Sequence, residues 1–225
     1  LLDNLETAVK GLKLPSAKTE WVNYYDQTNY SDQAKENKIK LIRQFVARVR
    51  PEIIWDLGGN NGFYSRIAGE SGAAVVSWDI DPLAVEANYQ QVKEEDSESI
   101  LPLVQDLTNP SPDTGWGHRE RDSLLARSGV DLIMAFALVH HLVISNNIPL
   151  SHVAKYFSRL GEYLLIEFVP KEDSQVQRLL EHREDIFPNY NLNGFHESFS
   201  EYYEFLEDAP IKETHRHWFV LKRKS

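Results

Sequence analysis

Short apolar segments recur through the middle of the chain, each followed by a turn and a stretch of helical spacing. This alternation restricts the possible folds more than any single residue does. Ile53–Leu57, Ala73–Trp78, Ile100–Val104, Asp131–Leu138 and Glu162–Val169 read as strands, and Phe63–Gly69, Pro82–Lys93, Glu120–Arg127 and Ser151–Leu160 as helices. Asp81 is placed to cap the second of these helices, with Pro82 at its first position, where a missing N–H is harmless. Strands that are apolar on both faces and alternate with helices predict a mostly parallel sheet covered on both sides, hence a doubly wound α/β fold.

The ends of the chain depart from this rhythm. Leu1–Leu14 reads as a helix stopped by Pro15, Lys18–Tyr30 is rich in aromatics (Trp21, Tyr24, Tyr25, Tyr30), and a helix capped by Ser31 carries Ile39, Ile42, Phe45, Val46 and Val49 at helical spacing. After the fifth strand come two helical stretches, Ser174–Arg183 and Leu192–Tyr202. Two strands then follow, near Phe205 and at Thr214–Lys222, expected as an antiparallel hairpin. The expected organisation is a lead-in over residues 1–30 and one domain over residues 31–225 with a helical insert at about 170–204. A chain that starts at Leu1 without an initiator Met is expected to be part of something longer.

Composition removes several function classes. The absence of Cys excludes disulfides, thiolate metal sites and Cys nucleophiles. A formal charge of −10 with scattered basic residues disfavours nucleic acid as a partner. The basic clusters at Lys35–Arg50 and Lys222–Lys224 read as a solvated helix face and a solvated tail. Membrane insertion is not expected, since no apolar run approaches the roughly 20 residues a spanning helix needs, and the expected location is the cytoplasm.

The most informative turn is Asp56-Leu57-Gly58-Gly59-Asn60-Asn61-Gly62-Phe63, where a strand with an acidic residue near its end enters a helix through Gly and Asn. Both residue types tolerate positive φ, and Gly lets a ligand approach the backbone. In open α/β sheets ligands sit beyond the carboxyl ends of the strands. The dinucleotide fingerprint G-x-G-x-x-G fails here, because Asn60 and Phe63 occupy its second and last positions, and no phosphate-cradling G-x-x-x-x-G-K-[ST] is present. An oxidoreductase is disfavoured accordingly.

The turn resembles the first motif of class I methyltransferases, an acidic residue followed by G-x-G-x-G, with Asn60 replacing the middle Gly. The resemblance extends to Asp79-Ile80 at the end of the second strand, to Asp106-Leu107 after the third, and to the fourth-strand stretch from Asp131 through Ala135 to His140-His141. Further segments, among them Asn109-Pro110-Ser111-Pro112, Gly115-Trp116, Asn146-Asn147-Ile148-Pro149-Leu150, Glu167-Phe168-Val169-Pro170 and Arg183-Glu184-Asp185, are similar to the NoeA-like nodulation methyltransferases. The resemblance implies a seven-stranded, mostly parallel Rossmann-like sheet with an antiparallel C-terminal strand. It also implies S-adenosylmethionine as cofactor, bound by Asp56, Gly58, Gly59, Asn60, Gly62, Asp79, Ile80, Asp106, Leu107 and Ala135. Asp79 would hold the ribose hydroxyls and Asp106 the adenine amino group, although each carboxylate also suits a plain capping role.

His140, His141 and Glu167 lie near the strand ends and are the candidate catalytic bases. A packed structural His, and a strand-end hydrogen bond for Glu167, are the alternative roles. No metal site is expected: adjacent histidines on a strand face opposite ways, and the pair His215 and His217 has little acidic company in sequence. Pyrimidine C5 methylation needs a Cys nucleophile, and the Pro-rich fourth motif of exocyclic-amine enzymes is replaced by Ala135-Phe136-Ala137-Leu138. A small-molecule, sugar, lipid or protein acceptor is the expected partner; an RNA methyltransferase and a non-catalytic scaffold domain are the alternatives.

Overall fold

β-Branched and aromatic residues concentrate in the central strands, and there they alternate between two buried faces. The computed structural model describes residues 2–12 and 32–225. Strands β1 (Ile53–Leu57), β2 (Ala74–Asp79), β3 (Ile100–Val104), β4 (Val130–Ala135) and β5 (Gly161–Phe168) pair in parallel. β6 (Tyr203–Pro210) and β7 (His217–Arg223) form an antiparallel hairpin whose second strand docks antiparallel on β5. The sheet order is β3-β2-β1-β4-β5-β7-β6, with β7 alone running against the rest.

The alternation divides the core in two. On one face Trp55, Leu57, Trp78, Ile133, Leu164 and Phe168 pack with the inner sides of α5 (Leu150–Leu160) and α7 (Leu192–Ser200). On the other, Ile54, Leu132, Met134, Leu165 and Val220 pack with α2 (Asp32–Val49) and α3 (Phe63–Gly69). α4 (Pro82–Glu94) lies against β2 and β3, and the side chain of Asp81 accepts from Leu83 N–H as its cap. α6 (Ser174–Leu180) and α7 fill the stretch between β5 and β6, where Val176, Tyr190, Phe195 and Phe199 belong to the first core cluster. α1 (Leu2–Lys10) has no buried residue. The aromatic stretch with Trp21, Tyr24, Tyr25 and Tyr30, and the cap at Ser31, lie outside the described residues.

Two local expectations are corrected. The helix over Glu120–Arg127 is absent: Ser123–Ser128 makes one turn, and Gly129 at φ +99° swings the chain into β4. Just upstream, a bridge between Thr114 and Arg121 closes a small loop around a 3₁₀ turn at Trp116–His118. β4 stops at Ala135 rather than Leu138, because Ala137 takes φ +47° and breaks the ladder. No helix among the described residues is long and apolar enough to cross a membrane.

Candidate functional site

The parallel strands all deliver their carboxyl ends to one side of the sheet, and a cavity of about 320 Å³ opens there, at the lower end of the usual size for small-ligand sites. Its rim begins at the β1–α3 turn. Gly58 and Gly59 both donate their N–H groups to Trp78 C=O at 2.8 Å, which pins the turn over β2. A Cβ on Gly59 would lie 2.4 Å from Ser77 Oγ, so only Gly fits this approach. Asn60 occupies φ +50°, a conformation Asn tolerates, and its own Oδ1 accepts from Asn61 N–H at 2.8 Å. That is how Asn serves where the related motif has Gly.

Asp79 ends β2 inside this turn. One carboxylate oxygen accepts from Asn60 N–H at 2.8 Å and the other from Asp81 N–H at 2.9 Å. Each oxygen has a second lone pair, so the pair of oxygens can also accept from a vicinal diol. Burial raises its pKa above the usual carboxylate range. Asp56, one strand over, is 1% exposed and accepts from Ser65 Oγ at 2.6 Å; burial lifts its carboxyl to about 6. Asp106 also lines the cavity, its Oδ1 accepting from Thr108 N–H and Oγ1 at 2.8 and 2.7 Å. Ile80, Leu107, Leu138 and Leu142 provide apolar walls between these polar groups.

The strand ends bring Asp56, Gly58, Gly59, Asn60, Asp79, Ile80, Asp106 and Leu107 to the one cavity, together with His141. Four residues singled out in the sequence do not line it. Gly62 is turned toward α4, where a Cβ would lie 2.3 Å from the Asn88 side chain. Ala135 is fully buried as the last residue of β4, leaving Phe136 and Ala137 to form the wall. His140 is 1% exposed beneath the one-turn π-helix His141–Ser145; its ring centroid is 4.1 Å from that of His141, and its Nδ1 has no hydrogen-bond partner among the described residues. Burial, with positive charge on Arg216, holds the His140 imidazole well below its ordinary pKa. Glu167 is fully buried at the end of β5 and receives Lys38 Nζ at 2.6 Å and Arg216 Nη1 at 3.1 Å.

Lys38 and Arg216 carry more of the site than the sequence indicated. Lys38 is 5% exposed, and its ammonium lies 4.4 Å from the Tyr64 ring centroid and 4.2 Å from that of Phe136, rings that also line the cavity. Burial pulls its pKa below the usual lysine range, against the opposing pull of Glu167. Arg216 continues the network to Asp173, the cap of α6, at 2.7 and 3.2 Å. The four groups, when ionised, sum to zero charge. The signal for Lys38 was present: it sits in the apolar stripe Ala34, Lys38, Leu41, Ile42, Phe45, where a solvated lysine has no place.

The same overall fold is found in solved methyltransferase structures. The N-methyltransferase NodS from Bradyrhizobium japonicum WM9 superposes with a TM-score of 0.62 at 10% identity, covering 87% of this chain and 99% of that one. Magnesium protoporphyrin IX methyltransferase (ChlM) from Synechocystis PCC 6803 with bound SAH superposes with a TM-score of 0.60 at 12% identity, covering 91% of this chain and 93% of that one. In sequence the chain is similar to the nodulation protein NoeA of Rhizobium meliloti (strain 1021), at 36% identity over 225 residues, 99% of this chain and 47% of NoeA. The chain thus spans about half the length of that curated relative. No family model matches it.

Proposed function

We propose that residues 31–225 form a catalytic domain that transfers a methyl group from S-adenosylmethionine to a small-molecule, sugar, lipid or protein acceptor. The observation that carries this reading is Asp79, a half-buried carboxylate fixed by two backbone N–H groups at the rim of a cavity of suitable size. The residues fit the cofactor part by part. Asp79 would hold the ribose diol, Ile80, Leu107 and Leu142 would flank the base, and Asp106 would accept from its amino group. Gly58, Gly59 and Asn60 would admit the amino-acid tail to the backbone, with Asp56 below them. When bound, the cofactor supplies a methyl group on a positively charged sulfur: the acceptor's lone pair forms the new bond to carbon, and the C–S electrons return to sulfur as a neutral thioether.

The chain's own share of the work is positioning, since the leaving group is already good. His141 is the assigned base. Burial lowers its pKa to about 4, so the imidazole is neutral at pH 7 and acts as a weak proton acceptor for a hydroxyl or amine that loses its proton as the methyl group is transferred. His140, packed against it, fixes the ring. Glu167 is assigned as a positioning residue, because Lys38 and Arg216 already occupy both of its oxygens. Gly62 and Ala135 are assigned to shaping the turn and the strand end.

Calorimetric titration with S-adenosylmethionine and S-adenosylhomocysteine, on the wild type and on Asp79→Asn, tests the cofactor. Loss of a charge-assisted hydrogen bond should weaken binding by roughly 10- to 100-fold. Absence of binding to the wild type, or equal binding to both proteins, would remove the assignment.

A further inference from the structure

A second cavity, of about 310 Å³, lies between α2 and the β6–β7 turn, and it shares Lys38 and Phe136 with the first. Its lining includes the buried Lys38–Glu167 ion pair and the aromatic residues Phe136 and Trp218. Its rim carries Lys40 from α2 and Lys212 from the β6–β7 turn, both exposed. The charges that line this cavity do not balance at the rim. Lys38 is matched by Glu167, and Glu207 is matched by Arg48. Among the described residues Lys40 and Lys212 have no carboxylate partner. Two uncompensated cations thus stand over one cavity in a chain whose formal charge is −10.

We propose that this second cavity is the acceptor site, and that it takes a small, ring-bearing acceptor carrying a carboxylate or phosphate group. The inference rests on the methyl-transfer reading above. Phe136 and Trp218 give the cavity aromatic lining for a ring, and Lys40 and Lys212 hold the anionic substituent at the mouth. The far end of the ring then lies toward Lys38 and Phe136, where the two cavities meet and the methyl group would be presented. Rim lysines act on a bound anion in partly exposed surroundings, so each contributes a modest, salt-sensitive gain of roughly fivefold at most.

The test is ligand-observed NMR titration of the protein saturated with S-adenosylhomocysteine, so that the first cavity is filled. The probes are 4-hydroxybenzoate, 4-hydroxyphenyl phosphate and the neutral 4-hydroxybenzamide, against the wild type and Lys40→Gln/Lys212→Gln. Both substituted residues are exposed and outside the first cavity, so folding and S-adenosylhomocysteine affinity should be unchanged. The expected result is that at least one anionic probe binds the wild type several-fold more tightly than the amide. That preference should disappear in the double variant and shrink as salt is added, and the better of the two anions tells carboxylate from phosphate. No anionic preference, a preference that survives in the double variant, or no binding of either anionic probe overturns the proposal. S-adenosylhomocysteine titrated alone keeps the two readings apart. If it fails to bind, the cofactor assignment has failed; if it binds while the probes do not discriminate, only the acceptor assignment has.

Discussion

Replacing Glu167 by Gln should destabilise the protein far more than an isosteric change normally does. Glu167 is fully buried, and its two oxygens accept from Lys38 at 2.6 Å and Arg216 at 3.1 Å, both of which are also buried. Glutamine keeps the shape but removes the negative charge, leaving a buried network of net charge +1. It also offers one acceptor oxygen where two donors need one each. Removing one partner of a buried ion pair typically destabilises by about 3–5 kcal/mol. In a domain of this size that is a fall in Tm of about 6–20 °C, out of a total stability of about 5–15 kcal/mol. Urea unfolding at pH 7 measures it. The decisive comparison is the double variant Lys38→Met/Glu167→Gln, which removes one charge of each sign and leaves Arg216 paired with Asp173. It should recover about 1–3 kcal/mol relative to the sum of the single changes. A loss below about 1 kcal/mol in Glu167→Gln, or strict additivity in the double variant, would refute the account of a charge-balanced network.

Asp56 has a folded-state pKa of about 6, above its unfolded value, so its contribution is full at low pH and is lost as pH rises through about 6. Asp56→Asn should therefore gain about 3 kcal/mol on the wild type between about pH 4 and pH 7, and a pH-independent difference in urea midpoints would count against this. His141, lowered to about 4, has the opposite sign: its contribution is lost as pH falls from about 6.5 toward 4. His141→Gln should accordingly lose less stability than the wild type over that range, read in the same unfolding series. Gly62→Ala meets both a left-handed backbone at φ +76° and the Asn88 side chain, whereas Gly72→Ala meets only the backbone term, at φ +86° with open space around it. Each should lower Tm through a backbone cost of about 1–2 kcal/mol, with Gly62→Ala the larger; equal shifts would mean that Asn88 yields freely.

The strands and their order were legible because they depend on patterns a sequence displays: apolar runs of strand length, a capped helix start at Asp81, and glycines where the turn needs them. Most residues that the methyltransferase resemblance singled out line the one cavity, because they sit just after strand ends. What escaped depended on long-range pairing. The apolar stripe of its helix marks Lys38 as buried, but its partner Glu167 lies 129 residues away and no local pattern names it. Arg216 lies between two histidines, and its burial depends on Asp173, 43 residues earlier. Similarly, the stop of β4 at Ala135 turns on a positive φ at Ala137, a residue with no intrinsic preference for it.

The position of β7 has a consequence for how the chain is made. Synthesis delivers β5 and then β6, yet these two strands are not neighbours; β7 must come between them. Phe219, Val220 and Leu221, near the very end of the sequence, are fully buried there. Until β7 emerges, β5 presents an unpaired apolar edge and β6 has no partner, so the sheet closes only after His217–Arg223 is made. A nascent chain halted before His217 would expose an edge open to pairing with other chains.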